Sequence, residues 1–363
     1  MTISLAMPTI RQSKPSGEAL LDAGVGELRD HTGRVAKDLR VSLTDRCNLR
    51  CTYCMPEEGM EWIPTEEVLS DEEVIRLIRI GVQRLGIEQV RFTGGEPLLR
   101  RSLEHIIAET AALTTRTKQK PTIALTSNAL GLDKRAEALA HAGLDRVNLS
   151  LDTLNPQRYK ALTRRDRLAD AIKGIEAAID AGLKPVKINT VVMKGVNEDD
   201  VLPLARFALE HRCQLRFIEQ MPIGPREQWR REDMVTAEAI IATLGTELSM
   251  TPSSKPRGSA PAALWQVQAK DDAQLVGEIG VIASVTHPFC GDCDRTRLTT
   301  DGAIRNCLFA HAETSLRDLM RDGASDAELA EAWAQAMWPK AYGHGINDPS
   351  FVQPERTMSA IGG

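Results

Sequence analysis

Alternating hydrophobic and polar positions predict a series of short strands, most of them followed by a helix. Residues 39–44 alternate between leucine or valine on one side and polar residues on the other, which predicts a strand with one apolar face. Ser70 with Glu73 three residues later forms a capping-box pattern. The apolar spacing after it predicts a helix that ends at Gly86.

One pattern recurs at residues 85–93, 142–150 and 181–189. In each copy a helix ends at a glycine, and a strand begins at a valine four residues later. The other predicted elements of this region are strands at residues 123–126 and 215–221 and helices at residues 133–141, 166–181 and 198–211. Strands that alternate with helices in this way predict six parallel βα units.

The predicted strands share a polar face, because successive strand side chains point to opposite sides. That face carries Arg40 with Ser42, Arg91 with Thr93, Thr122 with Thr126, Asn148 with Ser150, and Lys187 with Asn189. A doubly wound sheet is covered on both faces and should be apolar on both. A curved sheet with its helices outside fits better, so we predict an α/β fold with an open partial (βα)6 TIM-like barrel. The alternative is a one-sided sheet whose polar face meets solvent.

The strand–helix alternation stops near residue 222, which we take as a domain boundary. We predict a flexible extension at residues 1–27, a barrel core at 28–221 and a smaller C-terminal α+β region at 222–363. The elements predicted in the last region are helices at residues 236–244, 315–319 and 326–337 and β segments at 264–267 and 275–282.

Composition narrows the functional classes. Of the 363 residues 42% are hydrophobic, enough for a substantial core, and 45 basic against 50 acidic residues disfavour general nucleic-acid binding. No apolar run approaches the roughly 18 to 20 residues of a membrane span, and the first 17 residues do not have the pattern of a signal peptide. We therefore expect a cytoplasmic protein with neither a nucleic-acid nor a membrane partner.

Seven cysteines, mostly in tight spacings, favour metal ligation over disulfides, and Cys213 alone is predicted to be a small buried hydrophobe.

Cys47, Cys51 and Cys54 form a Cys-x3-Cys-x2-Cys motif directly after the first predicted strand. Thiolates are soft ligands that hold iron–sulfur clusters, and three of them leave one metal position open. The alternative is a zinc site that recruits a distant fourth ligand.

A second trio consists of Cys290, Cys293 and Cys307. Its spacing is not diagnostic. Because His287 and His311 flank it, a zinc site of three cysteines and one histidine is the alternative to a second cluster with an open iron.

Basic residues occur on the predicted strands and directly after the second trio; they are Arg40, Arg91, Lys187, Arg216, Arg295 and Arg297. An unpaired buried charge is costly, and guanidinium groups match phosphate oxygens, so this set predicts a polyphosphate substrate. No Walker-type phosphate loop is present, so side chains would bind the phosphates.

The sequence resembles the GTP 3′,8-cyclases of molybdenum cofactor biosynthesis, a family of the radical S-adenosylmethionine (SAM) superfamily. The segments that carry this resemblance are residues 44–51, 91–98, 148–152, 216–221, 290–297 and 362–363. It implies two [4Fe–4S] clusters, one held by Cys47, Cys51 and Cys54 and the other by Cys290, Cys293 and Cys307. The implied SAM contacts are Tyr53, Gly95, Ser150 and Met221. The implied GTP contacts are Arg40, Arg91, Thr126, Lys187, Arg216, Arg295, Thr296 and Arg297. The implied catalytic group comprises Arg295, Arg297, Gly362 and Gly363.

The resemblance also implies the reaction: a deoxyadenosyl radical removes the ribose 3′-hydrogen of GTP, and C3′ then bonds to C8. Implied partners are a reductant and a downstream cyclic pyranopterin monophosphate synthase, with the chain a monomer or homodimer. The terminal pair Gly362-Gly363 leads us to expect a complete native C-terminus. Ala129 and Gln89 depart from the family pattern, the latter where a basic residue is expected. The alternatives are a radical SAM enzyme acting on a peptide or another nucleotide, and a non-catalytic metal-binding protein.

Overall fold

The structure, a computed structural model, describes residues 26–225 and 229–362. Its strands are β1 (Leu28–Arg29), β2 (Val35–Ala36), β3 (Asp38–Ser42), β4 (Gln89–Thr93), β5 (Thr122–Ser127), β6 (Arg146–Ser150), β7 (Val186–Val192), β8 (Gln214–Glu219), β9 (Leu248–Pro252), β10 (Ala263–Ala269), β11 (Val276–Ile282), β12 (Arg295–Leu298), β13 (Ala303–Arg305) and β14 (Thr314–Ser315). Its α-helices are α1 (Asp71–Arg79), α2 (Leu103–Ala111), α3 (Ala136–His141), α4 (Pro156–Thr163), α5 (Leu168–Asp180), α6 (Val201–Glu210), α7 (Ala237–Glu247), α8 (Leu316–Arg321), α9 (Asp326–Met337) and α10 (Met358–Ile361).

In the described part of the chain, twelve strands form one sheet in the order β14-β13-β12-β3-β4-β5-β6-β7-β8-β11-β10-β9, and β1 pairs separately with β2. Strands β3 to β8 are neighbours in chain order and parallel, which confirms the six predicted parallel strands. The sheet continues at both ends with strands from beyond residue 222, because β12 pairs in parallel with β3 and β11 pairs in parallel with β8.

The predicted split between an apolar and a polar strand face is confirmed. Val90 and Phe92 of β4 are fully buried in the main hydrophobic core, which also contains the apolar faces of the helices. Arg91 and Thr93, between and after them, point the other way and line cavities. The apolar face therefore holds the helices, and the polar face is left for a ligand.

The first helix begins and ends as predicted. Ser70 Oγ accepts a hydrogen bond from Glu73 N at 3.2 Å, and the Glu73 carboxylate accepts one from Ser70 N at 2.8 Å. Helix α1 continues through a π-helical turn, Ile80–Arg84, and the chain leaves it at Gly86 with φ of 77°. This helix packs against α2.

Several elements were not predicted. Helices α2 and α4 are absent from the prediction, although Asn155 before Pro156 is a recognisable start signal for α4 and its side chain accepts a hydrogen bond from Arg158 N. Strands β12 to β14 are two to four residues long, too short for alternation to mark them. No helix in the described part of the chain is long and apolar enough to cross a bilayer.

Candidate active site

The first cysteine trio lies in the loop that follows β3. The turn after β4 supports this loop through backbone hydrogen bonds. Gly95 N donates to Thr44 O at 2.6 Å, and Glu96 N donates to Arg46 O at 2.8 Å. A Cβ on Gly95 would stand 2.3 Å from Arg46 O, so only glycine permits this approach. The Gly-Gly-Glu turn is therefore the support of the cysteine loop.

Cys47, Cys51 and Cys54 line a cavity of about 220 Å³. Burial raises the pKa of Cys47 to about 11 and of Cys54 to about 12, and it raises the pKa of Cys51 well above its ordinary value. Buried thiols of this kind release protons when a metal binds them. Leu49 N points at Cys47 Sγ from 3.4 Å, a donor suited to a metal-bound sulfur.

Three of the four predicted SAM contacts, Tyr53, Gly95 and Ser150, line the same cavity. The Tyr53 hydroxyl donates to Asp152 Oδ2 at 2.6 Å, and burial raises the pKa of Asp152 to about 6. The fourth predicted contact, Met221, instead lines the neighbouring cavity.

The second trio lies in a cavity of about 230 Å³. Burial would raise the pKa of Cys293, but the charges of Lys340 and Arg295 outweigh it and lower that pKa. Lys340 is only 3% exposed and donates from Nζ to Cys293 Sγ at 3.4 Å and to Arg295 O at 2.8 Å. Burial raises the pKa of Cys290.

The two histidines of the zinc alternative do not line the second-trio cavity. His287 is exposed and faces Glu238 at 3.3 Å, and His311 lines a separate groove. His344 lines the cavity instead, with its Nε2 bonded to Ser284 O at 2.8 Å. Within the described residues no group of three or more His, Cys, Asp or Glu side chains is arranged to hold one metal ion. Each trio borders a cavity, which suits a multi-atom cluster better than a single zinc ion. Cys213 is buried and lines neither cavity, as predicted.

The two cavities are adjacent. Thr126, Asn189, Ile218 and Met358 line both, so the trios border one continuous space. Asn189 Oδ1 is buried without a hydrogen-bond partner among the described residues, which leaves an acceptor available for a ligand in this space.

The second cavity is strongly cationic. The predicted substrate residues that line it are Arg40, Arg91, Thr126, Arg216, Arg295 and Arg297. Burial, reinforced by neighbouring arginines, lowers the pKa of Arg40 and Arg297 to about 9 and of Arg91 and Arg216 to about 10. The nearest counter-ion of Arg91 is Asp38, whose carboxylate oxygen is 3.8 Å away.

Buried nitrogens in this group have no hydrogen-bond partner among the described residues; they are Nε of Arg40, Arg91 and Arg295. Buried charges without partners are costly, so the cavity fits a ligand that brings several negative charges.

Lys187 lines a third cavity at the amino-terminal ends of the strands, which meets the second cavity at Arg91, Arg216 and Arg295. Burial and the charges of neighbouring arginines lower the pKa of Lys187 to about 7.

Thr296 is not brought to any of these cavities. It alternates with Arg295 and Arg297 on β12, so its side chain points to the core, where Oγ1 accepts a hydrogen bond from Trp333 Nε1 at 3.0 Å. Its proposed substrate contact does not fit this side-chain orientation.

The C-terminal segment reaches the second cavity. Arg297 donates to Gly362 O, and Met358 lines both cavities. Gly362 has φ of 79°, and a Cβ there would stand 2.8 Å from Thr93 Cγ2. Gly363 lies outside the described residues.

The sequence interpretation missed Asp38, Ser284, Lys340 and His344. Asp38 could have been found, since it alternates with Arg40 and Ser42 on the polar face of β3. The others come from loops and a chain end, where no periodicity marks the direction of a side chain.

The chain is similar to known proteins over most of its length. The sequence profile of the radical SAM superfamily matches residues 41–208, and the profile described as Molybdenum Cofactor Synthesis C matches residues 213–346. A protein of Corynebacterium glutamicum named GTP 3′,8-cyclase is 66% identical over 336 residues, which cover 93% of this chain and 89% of the relative. A protein of the same name from Mycolicibacterium smegmatis is 54% identical over 366 residues, with both chains covered completely.

Solved structures show the same fold at low identity. The crystal structure of Streptococcus suis SuiB has a TM-score of 0.54 at 15% identity, covering 86% of this chain and 68% of that one. SuiB bound to S-adenosylmethionine has a TM-score of 0.51 at 16% identity, covering 82% of this chain and 68% of that one.

Proposed function

The chain belongs to the GTP 3′,8-cyclase family of the radical SAM superfamily, and from this premise we propose how its cavities serve that reaction. The reaction is the conversion of GTP to (8S)-3′,8-cyclo-7,8-dihydroguanosine 5′-triphosphate in molybdenum cofactor biosynthesis. The observation that carries the assignment is a pair of adjacent cavities bordered by two cysteine trios and by buried arginines that outnumber their acidic neighbour, Asp38.

The six cysteines fit two [4Fe–4S] clusters. Cys47, Cys51 and Cys54 would hold the first, which supplies the electron for cleavage of SAM to the 5′-deoxyadenosyl radical. Cys290, Cys293 and Cys307 would hold the second, beside which the guanine base of GTP would lie. Each trio leaves one iron position without a protein thiolate, and the cavity beside it supports a ligand at that position.

The chain's own residues orient the reactants. Tyr53, Gly95 and Ser150 border the SAM side, and Asn189 at the junction offers a free acceptor between the two sides. The arginines of the second cavity and Lys187 of the third would bind the triphosphate, fixing the ribose C3′ near the SAM side. Gly362 accepts a hydrogen bond from Arg297 and would keep this guanidinium aimed into the cavity. The family resemblance implies that Gly363 belongs to the same catalytic group.

The segment that carries Cys290 and Cys293 supports a curved sheet. Residues 283–294 join β11 to β12, which are seven strand positions apart in the sheet order. On a flat sheet that distance is about 34 Å, at about 4.8 Å per strand. The segment contains a turn and a 3-10 helix, Cys290–Asp292, so it is not fully extended. Because β11 and β12 both run parallel to the core strands, the segment must also travel back along the strand direction. A curved sheet shortens the distance that the segment has to cross.

This supports an open partial (βα)6 TIM-like barrel at residues 28–221, with the region 222–363 carrying the second cluster across its open side. Residues 1–25 of the proposed extension, 1–27, lie outside the described part of the chain.

We further propose a cytoplasmic enzyme that works as a monomer or homodimer. It needs a one-electron reductant, and a downstream cyclic pyranopterin monophosphate synthase takes its product. These proposals rest on the family membership.

The test uses anaerobically reconstituted protein. About eight irons per chain are expected for two [4Fe–4S] clusters. With dithionite, SAM and GTP deuterated at C3′, deuterium should appear in 5′-deoxyadenosine, and no 5′-deoxyadenosine should form without GTP. Cys54→Ala should abolish its formation, whereas Cys213→Ala, at a buried cysteine that lines neither cavity, should not. Cleavage of SAM that is independent of GTP, or without transfer of deuterium, would refute the assignment.

A further inference from the structure

The third cavity, at the amino-terminal ends of the strands, has a volume of about 490 Å³ and an unbalanced charge. Seven basic and three acidic side chains line it, an excess of four positive charges when all are ionised. The basic ones are Lys37, Arg91, Arg146, Lys187, Arg216, Arg257 and Arg295. Lys37 is paired with Glu88 at 2.9 Å, so the excess belongs to the other residues. Four of these basic residues lie on the parallel strands β3 to β8, and the sequence interpretation identified all of them except Arg146.

Arg146 is placed toward the cavity by strand register. It begins β6 and shares its face with Asn148 and Ser150. It is aligned with Ala124 of β5, which is in turn aligned with Arg91 of β4. Since Ala124 has only a methyl group, the space between the two guanidinium groups is not filled by the intervening strand.

Gln89 holds the Arg146 side chain without neutralising it. Arg146 Nη2 donates to Gln89 Oε1 at 2.5 Å, and Arg146 forms no ion pair within 4.0 Å among the described residues. An amide oxygen orients a guanidinium but leaves its charge available, whereas a carboxylate at this position would cancel it.

The charge of Arg146 acts on the neighbouring substrate-binding cations. After burial, the charge of Arg146 is among the causes that lower the pKa of Lys187, Arg91 and Arg216. In the ligand-free protein these groups therefore repel one another, and an anion among them would relieve the repulsion.

We propose that Arg146, oriented by Gln89, is a further substrate-binding residue that contacts the terminal phosphates and makes the site select a nucleoside triphosphate over a monophosphate. The inference rests on the proposed function. The positions of the two cavities give the direction of the bound phosphate chain. The second trio borders the second cavity, whereas Arg146 lines the third and not the second. A base placed near the trio would direct its phosphate chain toward Arg146, and a single phosphate would stop short of it.

The test compares the affinities of GTP and GMP for anaerobically reconstituted protein by isothermal titration calorimetry. Arg146→Ala should weaken GTP binding about tenfold or more, because a charge-assisted hydrogen bond is lost, and should change GMP binding less than about twofold. Arg101→Ala, at an exposed arginine outside the cavities, is the matched control and should change neither affinity.

A rescue variant separates binding from folding. Gln89→Lys in the Arg146→Ala background places an ammonium on β4, at the position whose side chain contacts Arg146 in the wild type, and should recover most of the lost GTP affinity. Arg146→Lys keeps the charge without the planar fork and should lose less than Arg146→Ala. Equal weakening of GTP and GMP binding by Arg146→Ala, or no rescue by Gln89→Lys, would overturn the inference while leaving the enzyme assignment intact. A wild-type protein that does not bind GTP would overturn both.

Discussion

Lys187 should make GTP binding depend on pH near neutrality. It lies half-buried on β7, and burial followed by the charges of Arg216, Arg146 and Arg91 lowers its pKa from 10.5 to about 7. Glu278 is the acid that opposes this shift. At about 1.4 kcal/mol for each tenfold change, the ligand-free site disfavours the ammonium by about 5 kcal/mol. A bound triphosphate reverses the sign of the local potential, so GTP binding should take up a proton at Lys187.

The magnitude follows from the protonated fraction. With a pKa of about 7, the ligand-free protein has about half of its Lys187 charged at pH 7 and about a tenth at pH 8. If the bound form stays charged, proton uptake is about 0.5 at pH 7 and about 0.9 at pH 8, and the apparent Kd rises about fivefold over that unit. Lys187 also affects how the folding stability of the ligand-free protein depends on pH. Because the lowered pKa means that the unfolded chain binds more protons, Lys187 reduces the stability of the ligand-free protein as pH falls from 10.5 to 7 and has no further effect below.

Calorimetric titration of GTP in Hepes and in Tris, at pH 7 and pH 8, measures the proton uptake directly. Lys187→Arg keeps a permanent charge, so its uptake should be smaller than the wild-type value by the amounts above and its affinity should depend less on pH. Titration of GTP's own phosphates is common to both proteins and cancels in the difference. Equal proton uptake by wild type and Lys187→Arg would refute the reasoning.

Three further predictions concern the second cavity. Cys307→Ala should lower the iron content of reconstituted protein from about eight to about four per chain, whereas Cys213→Ala should leave it near eight; equal iron contents in the two variants would contradict the ligand assignment. Lys340→Met should lower the reduction potential of the second cluster, measured by EPR-monitored redox titration, because a hydrogen bond to a ligand sulfur is lost; an unchanged potential would exclude this role. Gly362→Ala should reduce kcat about tenfold or more with both clusters retained, since the added Cβ would stand 2.8 Å from Thr93 Cγ2 and displace the C-terminal segment; wild-type turnover would disprove it.

The polar face of the sheet could be predicted because it depends only on alternation within strands. Arg40 and Arg91 were both placed on the polar face from sequence and line one cavity in the structure. The same reasoning explains the position of Thr296, whose place between two cavity-lining arginines turns its side chain to the core. The family resemblance pointed to residues 295–297, and strand geometry shows which of their side chains line the cavity.

Contacts between distant segments could not be predicted. Lys340 reaches Cys293 from a loop after α9, and the sequence offers no period or turn signal that would direct it there. Gln89 was noted as a departure from the family pattern, but the arginine that it orients, Arg146, is 57 positions away and is revealed only by the pairing of β4, β5 and β6.

The segment that carries the first two cysteines of the second trio joins strands at the two ends of the parallel sheet. These two cysteines lie on residues 283–294, which run from β11 at one end of the parallel strands to β12 at the other. Strands β11 and β12 also cover the outer edges of β8 and β3, which would otherwise present unpaired backbone groups. The position of Cys290 and Cys293 therefore depends on the strands that extend the sheet at both ends. Strands from beyond residue 222 thus belong to the same sheet as the core, and residues from both parts of the chain line the second cavity.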